Sequence, residues 1–154
     1  MSSKKSEITL RLVGKESAQT LSAIHEKCFP HYWDNEAFND FFSVEHTYAL
    51  IAEAGEVVGM VVYRLNFEQA DIITIAVLPQ FRRKGIARSL MAKTLEDMKW
   101  RGVEKLFLDV EEGNQPAISL YESLGFSHDR RRRQYYRQSD GTCTDALVMS
   151  KKFS

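Results

Sequence analysis

The sequence predicts a mixed α/β domain, a central sheet with helices on its faces. Three observations carry this. Short stretches of alternating or β-branched apolar residues recur at 7–12, 47–52, 57–65 and 72–77. A strong helical period runs from Ile86 to Trp100. Strand-type and helix-type segments are also interleaved rather than grouped, as in one layered α/β unit.

Taken in order, residues 7–12 alternate apolar and polar and read as a strand. A helix follows with Leu21, Ile24 and Cys28 on one face, and Phe29-Pro30 ends it. Asp34 is a good N-cap for a short helix carrying Phe38, Phe41 and Phe42 at i, i+3, i+4. Residues 47–52 and 57–65 flank Ala54-Gly55-Glu56 and form a β-hairpin. A strand at 72–77 ends at Leu78-Pro79. The helix Ile86–Trp100 repeats Ala87, Leu90, Met91, Thr94, Leu95 and Met98, and Gly102 closes it.

Residues 103–110 form a strand. A short helix at 116–124 has Pro116 in its first turn and stops at Gly125. From Phe126 onward, 134–136 and 144–149 are strand candidates around a turn at Ser139-Asp140-Gly141. The expected order is β-α-α-β-β-β-α-β-α-β-β, in a single domain over residues 1–154 with no linker or repeat.

Composition narrows the function classes. Lys+Arg and Asp+Glu both total 21, so net charge is zero and non-specific binding to nucleic acid or an anionic membrane is not expected. No apolar run approaches the roughly 18 residues of a membrane span. Residues 1–6 have a basic flank without the apolar core of a signal peptide. Cys28 and Cys143 lie far apart and read as free thiols of a reducing, cytoplasmic compartment. His25, His31, His46 and His128 lack metal-ligand spacing, and no metal is expected.

The most informative stretch is residues 80–89, which joins a buried strand to the best helix in the chain. A helix N-terminus presents unpaired N–H groups and a partial positive charge, which suits a phosphate. Gly85 lets the backbone turn and approach closely, Ala87 is small, and Arg82, Arg83 and Lys84 add counter-charge. From these residues alone a solvated basic loop is the plainer reading. There is no GxxxxGK[ST], and GxGxxG lacks its other glycines.

Arg82-Arg83-Lys84-Gly85-Ile86-Ala87 resembles the [QR]-x-x-G-x-[GA] signature of GNAT acetyltransferases. The run from Asn114 through Ala117, Tyr121 and Gly125 to Phe126 is similar to the N-x-x-A-x-x-x-Y-x-x-x-G-F segment of the same superfamily. Phe29-Pro30, residues 120–126, residues 132–136 and Asp140-Gly141 extend the resemblance toward the bacterial ribosomal-protein alanine N-acetyltransferases, the RimI type. The likeness covers nearly the whole chain and is weakest before Glu45.

The resemblance implies the GNAT fold, a mixed sheet of about seven strands with four helices, and acetyl-CoA as donor. Backbone groups of Ile75, Ala76 and Val77 would pair with the pantetheine, although their side chains alone read as core. The pyrophosphate would sit on the amides of Arg83, Lys84, Gly85, Ile86, Ala87 and Arg88. Asn114 would contact the cofactor, or simply start a helix.

Tyr121 would protonate the departing sulfur; its periodicity also fits a core tyrosine. Asp109, twelve residues earlier, stands where the RimI type carries a glutamate base. The shorter side chain points to a bridging water, and a capping role is open too. Glu111 and Glu112 are neighbouring candidates, Glu111 being expected to face elsewhere. Residues 130–133, four arginines, read as a solvated strand edge. The aromatic run 29–33 fits either core packing or a wall of the acceptor groove.

The expected reaction is acetyl transfer to a primary amine by direct attack in a ternary complex, since neither cysteine nor any serine has an activating setting. The implied acceptor is a protein N-terminus, specifically a small-subunit ribosomal protein. A free small amine as acceptor, or a non-catalytic acyl-CoA sensor, are the other readings.

Overall fold

A computed structural model describes residues 7–138 and 140–153. Ser139 of the expected turn, residues 1–6 and Ser154 lie outside the described residues. The elements are β1 (Thr9–Val13), α1 (Ala18–Cys28), α2 (Asn35–Phe42), β2 (Thr47–Glu53), β3 (Val57–Asn66), β4 (Gln69–Val77), α3 (Ile86–Trp100), β5 (Lys105–Glu111), α4 (Gln115–Ser123), β6 (Ser127–Arg137) and β7 (Cys143–Lys152). Their order is the expected one.

Local chemistry explains the helix ends. The Asp34 carboxylate accepts from Ala37 N at 2.9 Å and caps α2. Gly102, at φ +84°, ends α3. Within α3, Leu90, Met91, Thr94 and Met98 are buried as the period requires.

The strands form one seven-stranded sheet ordered β1-β2-β3-β4-β5-β7-β6. Every neighbouring pair is antiparallel except β4–β5. That parallel pair holds together only at Gln69↔Lys105, Ala70↔Leu106 and Asp71↔Phe107. Beyond Asp71 the two strands separate, so 72–77 and 108–111 diverge with a gap between them. A bulge in the β3–β4 ladder leaves Ile73 without a partner at the point where the gap opens.

The two faces are distinct. Tyr63 donates to Asp97 of α3 at 2.7 Å, and a Cβ on Gly59 would meet Leu90 and Ile86, so odd-numbered β3 residues face α3. Arg64 faces the other way and donates to Phe41 O of α2 at 3.1 Å. Helix α4 lies beside α3, with Arg88 Nη2 donating to Ser123 Oγ at 2.8 Å. The core is continuous across the sheet and includes Leu21, Phe38, Ile51, Met60, Leu106 and Met149.

Three strands run well past their expected bounds, β7 spanning Cys143–Lys152 rather than 144–149. β4 begins at Gln69, after a tight turn in which Phe67 takes φ +61° without the usual glycine or asparagine. β6 runs from Ser127 rather than 134–136. It is an exposed edge strand whose charges erase the apolar alternation that marks a half-buried strand.

Candidate active site

The gap between β4 and β5 leads on the α1–α2 face into a cleft of about 550 Å³. Its floor is Ile72, Ile73, Phe107 and Val148; Trp33 and Phe41 form one wall, and Arg132 and Tyr135 the other. Trp33 is fixed from behind. Its backbone N–H donates to His25 Nδ1 at 2.9 Å, and its ring stacks on the same imidazole with centroids 4.5 Å apart. His25 is buried, and desolvation lowers its pKa to about 4, so it serves as a neutral acceptor. The aromatic run therefore serves both the core and the cleft wall.

Strand β5 alternates cleanly: Leu106, Leu108 and Val110 are buried, while Phe107, Asp109 and Glu111 share the α1–α2 face. The expectation that Glu111 faces away from Asp109 is corrected, because residues two apart on a strand point the same way. Asp109 Oδ2 accepts from Arg132 Nη1 at 3.0 Å. Glu111 is held by Gln138 Nε2 at 2.9 Å and Thr144 Oγ1 at 3.1 Å. Glu112 lies beyond the strand, paired with Arg131.

Tyr121 is buried on α4 against Phe126, and desolvation pushes its hydroxyl up to about 12. Such a phenol stays protonated at neutral pH and can donate. Tyr136 stands half-buried near Asp109, Tyr121 and Glu111; burial and the Asp109 charge raise its hydroxyl well above the ordinary range. Sequence reasoning assigned no role to Tyr136, Arg132, Arg64 or Asp71. The Tyr135-Tyr136 pair opposite a Gly-containing turn was the available signal for the first.

The loop after β4 has the chemistry of an anion cradle. Arg83 and Gly85 both take left-handed backbone, at φ +65° and +81°, and so turn successive N–H groups inward. The first helical bond of α3 is Ser89 N to Gly85 O at 3.0 Å, and no side chain caps this end. The amides of Ile86, Ala87 and Arg88 are therefore free of intrahelical partners. A Cβ at Gly85 would meet no protein atom within 4 Å. Arg82 turns inward instead, its Nε donating to Val77 O at 2.9 Å.

Asn114 caps α4, its Oδ1 accepting from Ala117 N at 3.3 Å, which leaves its amide donors unengaged by that cap. Ile75 is partly buried beside the gap, with Ala76 and Val77 buried next to it. A strand edge opposite a gap, leading to an amide cradle at a helix start, fits an extended chain ending in phosphates. That is the shape of acetyl-CoA, whose pantetheine amides can pair with the β4 edge and whose thioester supplies the acetyl group.

The sequence pattern of the Acetyltransferase (GNAT) family matches residues 18–126. The chain belongs to this family and is an acetyl-CoA-dependent N-acetyltransferase. It is similar to the [Ribosomal protein bS18]-alanine N-acetyltransferase of Escherichia coli, 30% identical over 131 residues, spanning 85% of this chain and 88% of that protein. An N-alpha-acetyltransferase of Sulfurisphaera tokodaii is 31% identical over 135 residues, spanning 79% of this chain and 77% of that one.

Among solved structures, the Escherichia coli ribosomal-protein-alanine N-acetyltransferase superposes with a TM-score of 0.88 at 28% identity, covering 96% of this chain and 95% of that one. Arabidopsis thaliana NAA60 in complex with acetyl-CoA shares the fold, with a TM-score of 0.82 at 20% identity over 96% and 99% of the chains. Among the described residues no helix is long and apolar enough to cross a membrane, and no cluster of ligating side chains could hold a metal ion.

Proposed function

We propose that the chain acetylates the N-terminal α-amine of a protein, by direct attack in a ternary complex, and that the acceptor is a small-subunit ribosomal protein beginning with alanine. The carrying observation is the cleft on the α1–α2 face. It is lined by Trp33, Tyr135 and Asp109, beside the gap that suits the thioester. A chain terminus can enter such a slot end-on. The end-to-end likeness to the bS18-alanine enzyme supports the same acceptor.

In this reading the Ile75–Val77 backbone holds the pantetheine, Arg83–Arg88 amides hold the pyrophosphate, and Asn114 contributes its amide donors. Asp109 accepts a proton from the acceptor nitrogen and Tyr121 gives one to the departing sulfur. Direct attack fits the cysteines. Cys28 has its thiol pKa raised by burial and its Sγ lies 3.5 Å from Val77 O, and Cys143 is exposed at the start of β7. Neither is set up as a nucleophile.

Magnitudes favour an α-amine. Its pKa of about 7.7–8.0 leaves roughly 15% neutral at pH 7, against about 0.04% for a lysine. A peptide carrying an N-terminal Ala and an internal Lys, treated with acetyl-CoA and mapped by mass spectrometry, tests the assignment. Acetylation should concentrate on the α-amine; dominant lysine modification, or activity on free polyamines only, would discard it.

A further inference from the structure

Two neighbouring rows of the α1–α2 face line the cleft: Arg64 on β3, Asp71 on β4 and Phe107 on β5 in one, and Asp109 on β5, Val148 on β7 and Arg130 on β6 in the next. All three of the cleft's cations are already engaged, Arg130 with Asp129 at 3.0 Å. Arg64, the register partner of Asp71, donates instead to Thr47 Oγ1 at 2.9 Å and to Phe41 O at 3.1 Å. Arg132 holds Asp109. The Asp71 side chain makes no hydrogen bond or ion pair among the described residues. It stands at the last paired position before β4 and β5 separate, on the same face as Asp109 and one diagonal step away.

We propose that Asp71 is a second proton-accepting carboxylate of this site: it binds the acceptor as an ammonium ion and takes the first of the two protons its nitrogen must lose, leaving the second to Asp109.

The nitrogen of an ammonium acceptor loses two protons in the reaction. The first proton leaves the ammonium and frees the lone pair that forms the C–N bond. The second leaves as that nitrogen becomes an amide nitrogen. The C–S bond breaks with its electron pair going to sulfur, and Tyr121 gives sulfur a proton. The proton on Asp109 restores Tyr121 through cleft water, and the one on Asp71 passes to solvent, the single proton released overall.

Electrostatics suits Asp71 to the first step. Two carboxylates facing across the gap repel each other, and a cation between them relieves that repulsion. Although Asp71 is exposed at the cleft, desolvation by the surrounding protein, and then the Asp109 charge, raise its carboxyl above the usual carboxylate range, with Arg64 opposing. The other charged groups lining the cleft are Arg130 and Arg132 from β6; α2 and the loop before it contribute the uncharged Phe41 and Trp33. A carboxylate of raised proton affinity is the better base for an amine that is roughly 85% ammonium at pH 7.

The test rests on the α-amine reading and uses the N-terminal Ala peptide. Its kcat/KM is followed from pH 6 to 10 for wild type, Asp71→Asn and Asp109→Asn. The Asp71→Asn deficit should be about tenfold or more at pH 7 and shrink above about pH 9, where solution itself deprotonates the amine. The Asp109→Asn deficit should persist at every pH, because the second proton is lost only during reaction. Acetyl-CoA binding and melting temperature should match wild type in both. Asp71→Glu should recover most of the activity, and Asp71→Ser should repeat the Asn result. An Asp71→Asn enzyme with wild-type kcat/KM, or with a deficit constant in pH, overturns the proposal. A wild type that ignores the peptide speaks against the acceptor and not against Asp71, and the same pH series with spermidine then decides the role of Asp71.

Discussion

Arg132 Nη1 on edge strand β6 reaches across β7 to donate to Asp109 Oδ2 on β5 at 3.0 Å. The same guanidinium lies 4.0 Å from the centroid of the Tyr135 ring. One arginine thus fixes the rotamer of the carboxylate and braces the cleft wall. Arg132→Gln should lower kcat by about tenfold, the low end for misplacing a positioned group, with acetyl-CoA affinity unchanged. Arg132→Lys keeps the charge without the planar fork and should recover only part. Steady-state kinetics with a parallel acetyl-CoA titration checks both; an unaffected kcat in Arg132→Gln would remove the arginine from the site.

Tyr121→Phe and Asp109→Asn should each lower kcat by about 10²-fold or more with little change in acetyl-CoA affinity. Tyr121 is buried and Asp109 sits in an open cleft, so their failures should differ. The tyrosine variant should respond to the leaving thiol's pKa when acyl donors are varied, whereas the aspartate variant should not. Glu111 is already bound to Gln138 and Thr144, so Glu111→Gln should cost far less than Asp109→Asn. The reverse ranking would move the base to Glu111.

Gly85 supplies a cofactor prediction with an internal control. At φ +81° any other residue is strained by roughly 1–2 kcal/mol, a loss of about 2–8 °C in Tm for a chain of this size. Gly85→Ala and Gly85→Glu share that cost. Only Glu adds a negative charge where pyrophosphate is expected. Thermal-shift titration should show acetyl-CoA still stabilising Gly85→Ala, though more weakly, and failing to stabilise Gly85→Glu. Equal stabilisation of Glu and wild type would displace the pyrophosphate from this loop.

His25 predicts an acid weakness. Its folded pKa of about 4 lies below the ordinary 6.5, so between these values the unfolded chain binds the proton and the folded chain does not. Stability is therefore full above about pH 6.5 and falls as pH drops through about 4, at up to about 1.4 kcal/mol per pH unit. Asp145, Asp140 and Glu16 have lowered carboxyl pKa values and act lower in the range, and the raised Asp71 carboxyl acts with the opposite sign, so a fall in stability from pH 6.5 to 5 is the imidazole's. Urea melts across that window should slope in wild type and flatten in His25→Asn. An equal slope in both would assign it elsewhere.

Local signals carried the order of elements. The α3 period, the Asp34 cap and Gly102 each act within a turn or two of chain, and each is where the residues imply. The turn into α3 was legible for the same reason: a glycine at a strand-to-helix junction decides its own backbone, and Gly85 takes φ +81°. Strand lengths were less legible. β4 starts with a turn lacking glycine, and this hid Asp71 from the strand; β6 is an edge strand whose arginines are solvated or paired rather than alternating.

What no single stretch of residues could state is which charges meet. Arg132 and Asp109 are 23 residues apart, as are Arg64 and Phe41, and nothing local distinguishes Arg132 from Arg131 beside it. The alternation of β6 sends one toward Asp109 and the other to Glu112 and Asp145. The separation of β4 from β5 beyond Asp71 is likewise a property of how two strands pair. Side-chain identity sets what each group can do, but the register of distant strands sets what it does it to. The acetyl-transfer chemistry was readable from motifs, while the partners of its carboxylates had to wait for the folded sheet.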